Sequence, residues 1–115
     1  MFARCVSFHL KPGRAAEFAQ LLDKDVIPAL RKQKGFQDEI ALVSLGGANA
    51  LAISVWNLKE DAEAYALGAF QGVLKSMAQV IEGTAQVQTY EVSNSTFRTI
   101  VDRASASSDT AGVSA

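Results

Sequence analysis

The sequence predicts an α+β domain in the order β-α-β-β-α-β, and three observations predict it. Apolar residues follow strand-like patterns over 2–10, 36–45, 50–56 and 84–97. Two longer stretches between them carry apolar residues at helical spacing. Glycine-bearing turns separate the elements, and 115 residues is the length of one domain.

The first strand, "FARCVSFHL", puts Phe2, Val6, Phe8 and Leu10 on one face with Arg4, and Ala3, Cys5, Ser7 and His9 on the other. "KPG" ends it. From Arg14 the period becomes helical, with Phe18, Leu21, Leu22, Val26, Ala29 and Leu30 in one stripe. Pro28 lies inside this run and should kink or interrupt it, because it removes a hydrogen bond and crowds the preceding turn. "RKQK" followed by Gly35 suits a helix C-terminus, cations beside the free carbonyls and then a glycine cap. "FQDEIALVSL" and "ALAISVW" read as antiparallel strands joined through "GGAN". Asn57 has the character of an N-cap, with Glu60 completing a capping box. The helix it starts carries Ala62, Tyr65, Ala66, Ala69, Phe70, Val73, Met77 and Val80 inward, and Gly83 ends it. The last strand, 84–97, alternates Val87, Thr89 and Glu91 with Gln88, Tyr90 and Val92. The domain thus spans residues 1–100. Residues 101–115 lack aromatics and periodicity and are expected to be a disordered tail.

Two crossovers around a central hairpin give a four-stranded antiparallel sheet with both helices on one face, the ferredoxin-like arrangement. The second sheet face is then left open. Ala3, Cys5, Ala41, Val43, Ala52 and Val92 place few charges on it, so a second copy of the chain is expected to cover it.

Composition excludes several classes of function. A hydrophobic share of 49% with 20% charged residues is that of an ordinary globular domain. A net charge of −1 offers no attraction to nucleic acid or to an anionic membrane surface. One cysteine and one histidine make neither an internal disulfide nor a metal-ligand cluster. No apolar run is long enough to span a bilayer. The N-terminus alternates around Arg4 instead of showing a basic head and an apolar stretch, so it is no signal peptide and the expected location is cytoplasmic.

The strand ending in "KPG", the helix with "IPALRKQKGF", the strand ending in "SVW", then "EDAEAY" and "VQTYEV" resemble the antibiotic biosynthesis monooxygenase domain family, the dimeric α/β-barrel proteins. These features span residues 2–97. The resemblance implies a homodimer with two sheets facing each other and a ligand between the helices and the sheet of one subunit. Relatives of this kind include cofactor-free quinone-forming monooxygenases, haem-degrading enzymes and small-molecule isomerases. Haem-degrading relatives use an Asn on the first strand, an aromatic in the second helix and a His ten residues later. Those places hold Val6, Tyr65 and Lys75 here, so only the aromatic is kept. The monooxygenases use Asn, Trp and Tyr around a polycyclic phenol, for which Asn57, Trp56 and Tyr65 are the comparable group.

Each candidate has a plain structural reading beside the functional one. Trp56 closes a strand, where an indole usually packs with its N–H satisfied. The Tyr65 hydroxyl either orients a substrate oxygen or is satisfied in the core. His9 is the natural general base by its pKa, yet strand-end histidines are commonly solvated. Cys5 reads as buried and inert. Gly68 and Gly72 each cost about 1 kcal/mol in a helix interior, as though something must approach the backbone closely: a ligand over the sheet, or only a kink or tight packing. Arg4 among Phe2, Val6 and Phe8 needs a partner, either an anionic ligand or Glu91. The expected site therefore comprises Tyr65, Trp56 and His9 for chemistry, and Arg4, Val6, Gly68 and Gly72 for binding. The functions compatible with it are a monooxygenase needing no metal or flavin, acting on a small aromatic or quinol-like compound, or a non-catalytic small-molecule-binding or regulatory dimer. Haem handling lacks an evident ligand other than His9.

Overall fold

The computed structural model describes residues 1–96, so the tail expected over 101–115 lies outside the described residues. Its elements are β1 (Phe2–Leu10), α1 (Ala15–Leu21), a π-helical segment (Leu22–Val26), α2 (Ile27–Arg31), β2 (Phe36–Val43), β3 (Asn49–Trp56), α3 (Lys59–Leu67), α4 (Ala69–Met77) and β4 (Ile81–Glu91). The sheet runs β2-β3-β1-β4 with every neighbour antiparallel, which is the ferredoxin-like order. Val6, Phe8 and Leu10 of β1 join Phe18, Leu30, Trp56, Met77 and Val80 in one buried core between sheet and helices.

Pro28 does not simply kink a helix. Its missing N–H is absorbed one turn earlier, where Ile27 N–H donates to the Leu22 carbonyl in a wider π turn, and Pro28 then sits at the start of α2. The wider turn keeps Leu22, Val26 and Leu30 buried together.

The second helical stretch is two helices. Gly68 breaks it at φ −111°, ψ −102°, giving α3 and α4 separate axes. Gly83 is not a helix terminator. It lies within β4 at φ +73°, where β4 spends extra residues against β1 between Ser7 and His9, a bulge that glycine accommodates. Asn57 is not the cap either. The helix starts one residue later, Leu58 takes the cap position without a side-chain bond, and Asn57 Oδ1 accepts from Gln37 Nε2.

A second bulge changes the faces of β2. Phe36 opposes Trp56, yet Asp38 opposes Val55, so one extra residue reverses the alternation that follows. Glu39, Ala41 and Val43 therefore face the helices, against Ser54, Ala52 and Ala50. The expected placement of Ala41, Val43 and Ala52 on the open face is corrected accordingly, Ala52 sharing the face of Trp56. The open face instead carries Ala3, Cys5, Ile40, Leu42, Leu51, Ile53 and Val55. Ile40 and Leu42 remain 45% and 47% exposed. No helix among the described residues is long and apolar enough to cross a membrane.

Candidate functional site

Between sheet and helices lies a cavity of about 20 Å³, room for a single water. Its floor is Arg4, Val6 and Phe8 of β1, Ala52 and Ser54 of β3, and Glu39 of β2. Leu22, Val26 and Leu30 form one wall, and Tyr65 with Phe70, Val73 and Met77 the other. The lining is apolar except where the strands turn Arg4, Glu39 and Ser54 inward and α3 adds Tyr65.

Arg4 reaches this place because its strand alternates, and it is only 4% exposed. Its guanidinium carbon lies 3.9 Å from the Phe70 ring centroid and 5.5 Å from that of Tyr65. A desolvated cation over a ring face gains about 2 kcal/mol. Among the described residues neither a hydrogen bond nor an ion pair engages the guanidinium. Burial lowers its pKa, with Tyr65 acting in the opposite direction. Glu91, the neutralising partner considered from sequence, opposes Phe2 at an exposed position on β4.

Tyr65 is 3% exposed. Burial pushes its pKa up to about 12, Arg4 pulls it down and Glu39 pushes it further up. The hydroxyl is therefore a neutral donor at physiological pH. Burial also raises the pKa of the Glu39 carboxyl above its ordinary value, which makes it a stronger proton acceptor than a solvated carboxylate. The three groups together can stabilise an oxyanion and take up a proton in a largely water-excluded space.

Trp56 stands behind this group and does not line the cavity. It is fully buried, with its ring centroid 5.6 Å from Phe36 and 5.2 Å from Tyr65. Its indole N–H donates to Ser54 Oγ at 2.9 Å. Trp56 thus fixes the Tyr65 ring from behind. Val6 lies on the floor. Gly68 sits at the helix break, and Gly72 is exposed with open space where a Cβ would stand, so no close neighbour requires glycine there. His9 is on the opposite face of the sheet, its Nδ1 2.8 Å from Asn49 Oδ1, in an open groove of about 440 Å³ with Ser7, Leu42 and Gln86. Cys5 shares that face, and burial raises its thiol pKa, which keeps it protonated. The structure brings together Tyr65, Arg4 and Val6 and leaves His9 and Gly72 apart.

Sequence reasoning missed Glu39 and Phe70 as site residues. Glu39 belongs to a "DE" pair that reads as solvated surface, and only the bulge turns it inward. Phe70 was legible as an inward position on the helix; its ring stacking on Arg4 was not.

No family model and no curated protein matches the chain. Solved structures do. SnoaB, a cofactor-independent oxygenase from Streptomyces nogalater, superposes with a TM-score of 0.67 at 16% identity, over 84% of this chain and 97% of that one. The monooxygenase from the gene ActVA-Orf6 of Streptomyces coelicolor, in complex with nanaomycin D, gives 0.69 at 14% identity over 82% and 88%. A protein of unknown function from Nitrosomonas europaea gives 0.70 at 18% identity over 84% and 92%. An antibiotic biosynthesis monooxygenase from Bordetella bronchiseptica gives 0.68 at 16% identity over 79% and 95%, and this chain shares the fold of these proteins.

Proposed function

We propose that the chain is a cofactor-independent monooxygenase that oxidises a small hydroxyaromatic or quinol-like compound in the cavity between helices and sheet. The observation that carries this reading is the set of Arg4, Tyr65 and Glu39 turned into a cavity that is apolar apart from them and Ser54. Such groups are costly in a core unless a ligand or reaction uses them. The shared fold with SnoaB, itself described as a cofactor-independent oxygenase, supports the reaction class.

The chemistry needs only a base, an oxyanion site and a dry pocket. Glu39 takes a proton from an activated C–H or O–H of the substrate. Arg4 and the Tyr65 hydroxyl hold the negative charge that develops on the ring oxygen. The resulting carbanion reacts with O₂ to form a peroxide. Return of the proton from Glu39 gives the hydroperoxide, and loss of water leaves the new carbonyl. For an activated methylene the balance is R₂CH₂ plus O₂ giving R₂C=O plus H₂O. Tyr65 is held in place by Trp56. At about 20 Å³ the cavity must widen to take a ring, and the break at Gly68 lets α4 move without carrying α3 with it.

The working unit on this reading is a cytoplasmic homodimer closed over the open sheet face, supported by the exposed Ile40, Leu42 and Tyr90 on that face. Oxygen uptake with anthrone and 1-naphthol, each of which becomes a quinone by gaining one oxygen atom while the other leaves as water, tests the activity after correction for autoxidation. Protein-dependent uptake with quinone formation is expected, and its loss in Tyr65→Phe and Glu39→Gln. Saturable binding of these compounds with no oxygen uptake would replace the oxygenase by a non-catalytic binding dimer.

A further inference from the structure

We propose that the cavity takes an aromatic monoanion, with the ligand's acidic group on the edge of the Arg4 guanidinium and its ring among Phe70, Val73 and Met77. This inference deepens the oxygenase reading and rests on its choice of cavity.

The starting point is a charge imbalance. Arg4 is 4% exposed and faces an apolar cavity, and among the described residues it has no ion pair. A buried charge without a counter-charge costs several kcal/mol, so native structures almost always pair it. The two carboxylates that could serve do not. Glu91 is exposed on the edge strand, facing Phe2. Glu39 lines the same cavity from two strands away, opposite Ser54, without making an ion pair with Arg4. Its carboxyl is raised by burial, the direction opposite to that expected of a carboxylate held ionised by a close cation.

The geometry around the guanidinium also fits an incoming anion. Its face is taken by the Phe70 ring at 3.9 Å to the centroid. Stacking of this kind leaves the edge, with its N–H donors in a fork, free for a carboxylate or a phenolate. Tyr65, whose ring centroid is 5.5 Å from the guanidinium carbon, adds a neutral hydroxyl donor to the same cavity lining. Apart from Glu39 and Ser54 the remaining walls are rings and aliphatic chains, which suit the flat apolar body of an aromatic acid and offer the hydroxyls of a sugar few partners. The present volume holds a single water, so head group and ring are seated together as the Phe70 side of the cavity yields.

The test uses two near-isosteric probes, 2-hydroxybenzoate and 2-hydroxybenzamide, titrated into the protein by calorimetry under nitrogen. The expected result is saturable binding of the benzoate, at least ~10-fold tighter than the amide, a difference of about 1.4 kcal/mol. Arg4→Met is expected to remove that preference and Arg4→Lys to keep part of it. Equal affinity for the two probes, an undiminished preference in Arg4→Met, or no saturation below about 10 mM overturns the proposal. The comparison on the unmodified protein needs no variant, so poor folding of Arg4→Met does not spare the proposal. Failures of the two readings separate cleanly. An Arg4-dependent preference in a protein that oxidises no quinol leaves the anion site standing without the oxygenase. Quinol oxidation with no preference for the benzoate does the reverse.

Discussion

Removing the Tyr65 hydroxyl should make the protein more stable and less active. Among the described residues the hydroxyl has no hydrogen-bond partner, and the side chain is 3% exposed. Burying an unpaired hydroxyl costs roughly 1–3 kcal/mol. The cavity has room for a water, which puts the cost here at the low end, about 1 kcal/mol. The ring itself stays in Tyr65→Phe, so its packing against Trp56 at 5.2 Å and Phe70 at 5.7 Å is retained. For a domain of this size about 1 kcal/mol corresponds to a rise of about 4–8 °C in Tm. There is also a pH signature. The folded-state pKa of about 12 lies above the ordinary 10.0, so the native state holds the phenolic proton more tightly than the unfolded chain. The stability tied to this proton is fully present below the unfolded pKa and is lost as pH rises through the folded one. A shift of this size is worth roughly 3 kcal/mol, and Tyr65→Phe should lack that alkaline loss. Thermal melts of both proteins from neutral to strongly alkaline pH read both effects. A lower Tm for Tyr65→Phe at neutral pH, with the same alkaline loss in both proteins, would refute the reasoning: the hydroxyl would then be satisfied by the protein.

Glu39→Gln should lower quinol oxidation by about 10²-fold and abolish the acidic limb of the pH–rate profile. In the unmodified protein that limb should lie above the ordinary carboxylate range, because burial raises the Glu39 pKa. The same upward direction means that the native state gains from a protonated Glu39 and loses that gain as pH rises through its folded pKa. Glu39→Gln should therefore equal or exceed the parent in stability at neutral pH, read by urea unfolding. Gly35→Ala should destabilise by about 2–4 kcal/mol, since the position has φ +78° and a Cβ would stand 2.0 Å from Asp61 Oδ2. Its denaturation midpoint checks this. If the proposed dimer closes over the open sheet face, Leu42→Asp, at a position 47% exposed there, should sediment as a monomer where the parent sediments as a dimer, with the far-UV spectrum unchanged.

The strands and their order were legible because the burial pattern of β1 is a clean alternation and "GGAN" makes a hairpin. What escaped were local irregularities, each of which uses a single residue to overrule a periodic signal. The extra residue between Phe36 and Asp38 reversed the faces of β2, hiding Glu39 and misplacing Ala41 and Val43. Pro28 was recognised as a breaker, but periodicity has no signature for the π turn that accommodates it. At Gly68 the sequence leaves a ligand, a kink and tight packing open, and the backbone ends one helix and begins another, with the Ala64 carbonyl oxygen 3.2 Å from where a Cβ would stand. Asn57 has the residue type of a cap, yet one residue of offset gave its side chain to Gln37 instead. The site was half legible for the same reason. Arg4 and Tyr65 sit on regular elements whose faces can be counted, while Glu39 depends on a bulge and the role of Trp56 on three-dimensional packing.

These irregularities converge on the cavity, and that convergence argues for function over accident. A sheet of this kind could fill the space with Leu or Ile at positions 4, 39 and 65 and be more stable, because well-packed apolar residues commonly equal or outdo buried charges. The chain instead places a bulge in β2 that turns Glu39 inward and a π turn that keeps Leu22 and Val26 on the opposite wall. It also breaks a helix between Tyr65 and Phe70, the two rings nearest the Arg4 guanidinium. Each of these departs from the most regular backbone available, and each shapes or lines the same small volume. A core serving stability alone has no use for a cation without an ion pair, a carboxyl raised by burial and an undissociated phenol around one cavity. A site that must accept an anion, take up a proton and exclude water has a use for all three.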